Sequence, residues 1–346
     1  MFRQLKKKLD KELIRYIDYV DKRYGMHSIS PSLVRNIREF VLRDGKRLRP
    51  ILFICGYKGF SNKHPKNLFR SALAMEFLHD FLLVHDDLVD KSHMRRGKPT
   101  MHIMLNEEIK KKRNVRFTGQ DLAIVIGDVM YAIAIETFLS IKENPILKEK
   151  ALIKFIEAAC YTGCGEYIEI LSSSKDIQHI TKNEIYKIYD YKTAYYTFVA
   201  PLVTGATLAN APGQEITQLF EFGVSLGRAF QIKDDILGIF GDEGKTGKSS
   251  FTDLEENKKT LLVWYAHQRA SKTKQSQLKK IMNKGKLTKK DLIEAQEIIK
   301  NTGSLEYAQG EIKKLSHHAF KSLKKSKMNA EYKNALITYV NTILST

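Results

Sequence analysis

At 346 residues the chain is long enough for one large domain or two ordinary ones, and its 43% hydrophobic share can bury a large core. Seven prolines, twenty glycines and few alternating stretches flanked by hairpin turn pairs leave long helices easy to build, so a globular, all-α protein is expected. The net charge of +19 admits a nucleic-acid binder, a membrane-surface binder or a pocket for anionic substrates. The lysines, however, fall in scattered short groups without a nucleic-acid motif or interleaved aromatic cluster, which counts against nucleic acid and makes most of the positive charge solvated surface.

In chain order, the N-terminal stretch lacks a continuous apolar core with a cleavage site, and no uninterrupted run of about 18 apolar residues follows. A cytoplasmic protein without a transmembrane segment is expected. Ser30 and Pro31 offer an N-cap followed by proline in the first helical turn. Interruptions at Ser61 to Lys66, Arg113 to Gly119, Glu143 to Pro145, Ser172 to Asp176, Ala211 to Gly213 and Gly241 to Asn257 separate segments of helical period. Asn67 to Asp90 and Glu215 to Phe240 read as two long apolar helices with acidic residues late in each. Such helices suit a bundle whose central members line a deep apolar cavity. Residues 272–346 are more lysine-rich and read as an outer helical layer. No linker or sharp composition change appears, so a single domain over 1–346 is expected. Cys55, Cys160 and Cys164 form no even disulfide set and no zinc site, and read as small buried thiols.

Chemistry gathers at Asp86-Asp87-Leu88-Val89-Asp90. Residues four apart on a helix share a face, so Asp86 and Asp90 can reach one point, with Asp87 about 100° around from Asp86. Carboxylates this close repel unless cations neutralise them, and hard oxygen ligands favour Mg²⁺. An acidic cluster is ordinarily a solvated face, but this one ends an apolar run, Phe81-Leu82-Leu83-Val84. A second pair, Asp234-Asp235, ends another, after Phe230-Gln231-Ile232-Lys233. Cationic groups accompany them: Lys46 and Arg49 in Gly45-Lys46-Arg47-Leu48-Arg49-Pro50, on one helical face or turn, then Arg95-Arg96, Lys192-Thr193, Lys248 and Lys258. Arginine suits bidentate phosphate contacts and lysine supplies a mobile point charge.

These motifs, in this order from about Asp44 to Thr260, resemble those of the trans-polyprenyl diphosphate synthases: GKRLRP, DDxxD with its arginine pair, Lys-Thr-Ala, Phe-Gln before the second acidic pair, and a late lysine. The resemblance implies an isoprenoid synthase-like helical bundle that condenses isopentenyl diphosphate head to tail with allylic diphosphates. Lys46, Arg49, His79 and Arg96 would bind the isopentenyl diphosphate. Asp86, Asp90 and Asp234 would bind three Mg²⁺ ions that hold the allylic diphosphate, with Asp87 and Asp235 supporting. Arg95, Lys192, Lys248 and Lys258 would contact that leaving group, and Gln231 and Thr193 would lie beside the reacting carbons. A homodimer is implied as well.

Phe81, about 1.4 helical turns before Asp86, and the smaller Leu82 would limit product length. That pattern resembles enzymes making the twenty-carbon geranylgeranyl diphosphate, with the fifteen-carbon farnesyl product as rival. Two departures stand out. Gly238 replaces the third aspartate of the second motif, and Glu166 and Glu169 stand where the family usually has glutamine and aspartate. A terpene cyclase fits less well, lacking a use for Lys46, Arg49 and Arg96, and a non-catalytic regulatory subunit would have lost these charges.

Overall fold

The computed structural model describes residues 1–110, 112–241 and 251–345. Helices dominate; among the described residues the strands are one antiparallel pair of two-residue pieces, β1 (Met94–Arg95) and β2 (Lys98–Pro99). The all-α class therefore holds. The chain forms two compact units, Met1–Ile153 with Thr204–Ala211, and Lys154–Val203 with Pro212–Thr346.

The first unit contains α1 (Phe2–Tyr24), α2 (Met26–Ile29), α3 (Pro31–Val41), α4 (Leu48–Phe60), α5 (Leu68–Ala72), α6 (Ala74–Val89), α7 (Met101–Ile109) and α8 (Gly119–Leu139). As expected, Ser30 caps α3, its Oγ accepting from Leu33 N at 3.3 Å with Pro31 in the first turn. The single helix expected over Asn67 to Asp90 is instead two. At Leu73 and Glu76 the backbone bonds reach back three residues, to Arg70 and Leu73, and this tightening separates α5 from α6. Tyr16, Phe53, Phe77 and Phe138 are almost fully buried. Tyr16 meets Phe77 at 6.0 Å and Phe53 meets Phe138 at 6.3 Å between ring centroids, both edge to face.

α8 is long and apolar enough to cross a membrane, with a mean hydropathy of 1.9, although small and acidic residues keep its sequence from reading as an unbroken apolar run. Its Ala123, Ile126, Met130, Ile133 and Phe138 are nevertheless buried in the unit, as in a core helix, whereas Ile124 and Val125 are exposed.

α9 (Pro145–Ser173) carries the unit boundary, and Cys160 and Cys164 on it are exposed rather than buried. Then come α10 (Lys182–Ile188), a π-helix over Tyr189–Val199, α11 (Ala200–Leu208), which also carries the boundary, and α12 (Gly213–Phe240). The C-terminal quarter is not merely an outer layer. Leu278, Ile281, Leu292, Ile298 and Leu315 join Ile177, Ile232 and Leu262 in the core of the second unit.

Within that unit α12 lies directly on the π-helix. A Cβ at Gly223 would meet Val199 Cγ2 at 2.7 Å, and one at Gly227 would fall inside the contact radius of Ala194 Cα and Cβ. The two glycines are four apart and so share one face of α12. Gly227→Val is expected to destabilise the protein by about 1–3 kcal/mol through overpacking. Thermal unfolding would check this, and an unchanged midpoint would show that the helices can separate freely.

Candidate active site

In the first unit the acidic cluster sits where a helix least favours it. Asp86 and Asp87 occupy the last turn of α6 and Asp90 is its C-cap, at the negative end of the helix dipole. The helix stops in a Schellman arrangement: Ser92 N donates to Asp87 O at 2.9 Å and Lys91 N to Leu88 O at 3.3 Å, with Lys91 at φ 52°. The chain then turns through β1 and β2, whose two-residue loop, Arg96 and Gly97, has φ of 55° and 71°, as tight hairpins of this kind require. Arg43, itself buried, fastens β2 to α3 by donating from Nη2 to Pro99 O at 2.7 Å and to Glu39 at 2.7 Å. The hairpin returns Arg95 to the carboxylates. Its Nε donates to Asp87 Oδ1 at 2.6 Å and its Nη2 to Asp86 Oδ2 at 3.0 Å.

Asp87 is fully buried, and burial, reinforced by Asp86 and Asp90 against the pull of Arg95, raises its pKa to about 6. The less buried carboxylates of Asp86 and Asp90 are the hard-oxygen donors that could hold a divalent cation.

One turn and more upstream on α6 lies a second charged group. Lys46 and Arg49 do not share a helix face: α4 begins at Leu48, after Arg47 at φ 49°, so Lys46 is exposed on the turn that precedes it. Between them Arg47 points inward. It is 4% exposed and bonds Asp10 Oδ1 at 2.9 Å, the Arg43 carbonyl at 2.9 Å and the equally buried Glu76. Burial opposes its charge, yet Glu76 and Asp10 outweigh burial and keep it firmly protonated. His79 Nε2 lies 3.5 Å from Arg96 Nη2. Burial, then the charges of Arg49 and Arg96, holds its pKa well below the usual value, so it is neutral. Asp80, fully buried beside them, is pushed well above the usual carboxyl range by burial and then by Glu76, against the arginines. Phe81 packs on His85 and on Tyr131 of α8, with centroids 4.8 and 4.9 Å apart, and Leu82 is half-buried.

In the second unit, Lys192 and Thr193 lie on the π-helix and Gln231, Asp234 and Asp235 on α12. Lys192 Nζ meets Glu166 at 2.7 Å and also pairs with Glu169, so both departures on α9 converge on one ammonium. Thr193 Oγ1 donates to Gln231 Oε1 at 2.6 Å, and Gln231 Nε2 donates to Asp235 Oδ1 at 2.9 Å. Tyr189 donates its hydroxyl to the other Asp235 oxygen and accepts from Leu261 N at 2.9 Å. Asp235 is only 3% exposed; burial first, then Asp253, raises its pKa to about 8. Asp234 is exposed. Lys258 Nζ sits 2.6 Å from Glu256 and 3.7 Å from Asp253. Lys248 lies outside the described residues.

Three participants draw no role from the motifs. Arg47 is the unremarked middle of GKRLRP, and Tyr189 precedes the Lys-Thr-Ala run. Asp253 stands fifteen residues beyond the second motif, yet a Cβ at Gly238 would overlap its carboxylate. The space of the missing third aspartate is thus filled by another acid.

Comparison with known proteins agrees with this geometry. Residues 30–299 match the polyprenyl synthetase family. The chain is 30% identical over 302 residues to a short chain isoprenyl diphosphate synthase of Methanocaldococcus jannaschii, covering 87% of this chain and 83% of that one. It is 32% identical over 287 residues to a geranylgeranyl diphosphate synthase of Saccharolobus solfataricus, covering 81% and 80%. The crystal structure of geranylgeranyl pyrophosphate synthase from Corynebacterium glutamicum, complexed with isoprenyl diphosphate and magnesium, superposes with a TM-score of 0.90 at 25% identity over 99% of both chains. Fold and site define an all-helical prenyltransferase of the isoprenoid synthase kind. The chain belongs to the polyprenyl synthetase family.

The buried Arg47–Glu76 pair lends itself to a direct check. Arg47→Met strands the Glu76 carboxylate and is expected to destabilise the protein by roughly 3–5 kcal/mol in urea unfolding. A loss below about 1 kcal/mol would show that Glu76 finds another partner.

Proposed function

We propose that the protein condenses isopentenyl diphosphate with allylic diphosphates to make geranylgeranyl diphosphate, with farnesyl diphosphate the nearest rival. The observation that carries this reading is the pair of charged clusters on α6. Carboxylates crowd the negative end of the helix, where only cations make them tolerable, and a neutral His79 stands among Arg49, Arg95 and Arg96 less than two turns away.

In this reading Lys46, Arg49, His79 and Arg96 bind the isopentenyl diphosphate. Asp86, Asp90 and Asp234 hold three Mg²⁺ ions, and Arg95, Lys192, Lys248 and Lys258 contact the allylic diphosphate. Bound Mg²⁺ would supply charge neutralisation for that leaving group. The chain's own residues do the rest. Arginine and lysine side chains stabilise charge as the carbon–oxygen bond breaks, and the two substrates are held close enough for the alkene to attack. Thr193 and Gln231 lie beside the reacting carbons, oriented by the hydrogen bonds that end on Asp235. The released diphosphate takes the final proton, so no side-chain base is required. Asp87 and Asp235 support their neighbours from buried positions.

The chain acts as one prenyltransferase domain, cytoplasmic and without nucleic acid. It works as a homodimer, for which the exposed Ile124 and Val125 of α8 offer an apolar face.

The test is incubation of the purified protein with isopentenyl diphosphate, each short allylic diphosphate and Mg²⁺, followed by sizing of the dephosphorylated products. A prenyl product abolished by EDTA is expected; no product with any primer would favour a non-catalytic subunit. Phe81→Ala, which empties the space against Tyr131, is expected to lengthen the product by one or more five-carbon units. Unchanged lengths would remove Phe81 from chain-length control.

A further inference from the structure

Residues 258–260 link the helices Thr252–Glu255 and Leu261–Arg269, and the side chains of Lys258 and Lys259 go to different surroundings. Lys258 turns to Glu256 and Asp253. Lys259 faces a separate cavity of ≈ 170 Å³ whose wall includes Ser174, Lys175, Asp176, Lys279 and Asn283.

Lys259 is unusual among the lysines of this surface. It is 7% exposed, and its acceptor among the described residues is a neutral amide oxygen, Asn257 Oδ1 at 2.6 Å. The other two lysines of the wall have carboxylates: Lys279 pairs with Asp176 at 2.8 Å and Lys175 with Glu184 at 3.2 Å. Burying an ammonium without a counter-charge is costly. Burial accordingly draws the Lys259 pKa down to about 8, with Asp176 only partly offsetting it.

An anion in the cavity would remove that penalty, with Lys259 behind it and Lys279 at its rim. The cavity is roomy enough, at roughly ten times the ~15 Å³ that a single water needs. Asn257 is held in place for this, its Nδ2 donating to Ser173 O at 2.8 Å and to Asn283 Oδ1 at 3.1 Å.

We propose that this cavity binds a phosphoryl anion, with Lys259 as its charge partner. The site uses none of the residues assigned above to the prenyl reaction, although one peptide bond joins it to Lys258. Inorganic phosphate and diphosphate share the required chemistry.

Isothermal titration of the full chain in EDTA, with no prenyl substrate present, separates this proposal from the assigned reaction. Phosphate and diphosphate are each titrated into the wild type, Lys259→Gln and Lys284→Gln, the last a surface lysine outside the cavity. At least one of the two anions is expected to bind the wild type and Lys284→Gln alike and to bind Lys259→Gln at least tenfold more weakly. The anion that shows this difference more strongly is the source. Binding should also take up protons near pH 8, seen as a buffer-dependent heat that Lys259→Gln loses. Should that variant fold poorly, Asn283→Asp keeps the acceptor for Asn257 while placing a carboxylate in the cavity, and it should abolish the binding assigned to the cavity while leaving any diphosphate binding at the prenyl site. Equal affinity in the wild type and the cavity variants, or no saturation at millimolar phosphate and diphosphate, would overturn the assignment.

Discussion

Carboxylates confined to one end of a helix repel both one another and the helix dipole, and much of the first unit is arranged around that repulsion. Asp86, Asp87 and Asp90 crowd the C-terminal turn of α6. The backbone bonds that close the turn at Lys91 set the exit direction, and the hairpin that follows brings Arg95 back onto two of the three acids. Arg43 holds the hairpin from beneath. The Arg95 guanidinium offsets part of the repulsion among these acids.

The second unit handles the same difficulty by division. Asp235 is buried and tied by Tyr189 and Gln231, whereas Asp234, its neighbour on the helix, is exposed. The buried acid is thereby fixed in place by its hydrogen bonds. Tyr189 and Thr193, four residues apart on the π-helix, both enter that network, Thr193 through Gln231. Lys192, held by two glutamates, gains the same kind of fixed direction.

What the sequence made legible was chemistry with a spacing. The two acidic groups late in apolar helices and the Ser30 cap follow from residue type and helical period, and they lie where that period puts them, whereas the arginine pair sits on a hairpin that the period does not foretell. The break at Leu73 was hidden because no glycine or proline marks it; a change of backbone hydrogen bonding suffices. For Gly45 to Pro50 the sequence left a helix face or a turn open, and the turn forms, with Arg47 at φ 49° and its guanidinium bonded to Asp10. Residues 272–346 read as a surface layer because lysines dominate their composition, yet a minority of apolar residues on one stripe is enough to build core. The role of Asp253 depends on a chain approach that no local pattern records.

Gly238 and Asp253 share one volume although fifteen residues separate them. A side chain introduced at 238 meets the end of the Asp253 side chain, which must swing aside to admit it, and an acid there would add like charge beside it. Substitutions at these two positions are therefore coupled through one shared volume, although the chain holds them far apart in sequence.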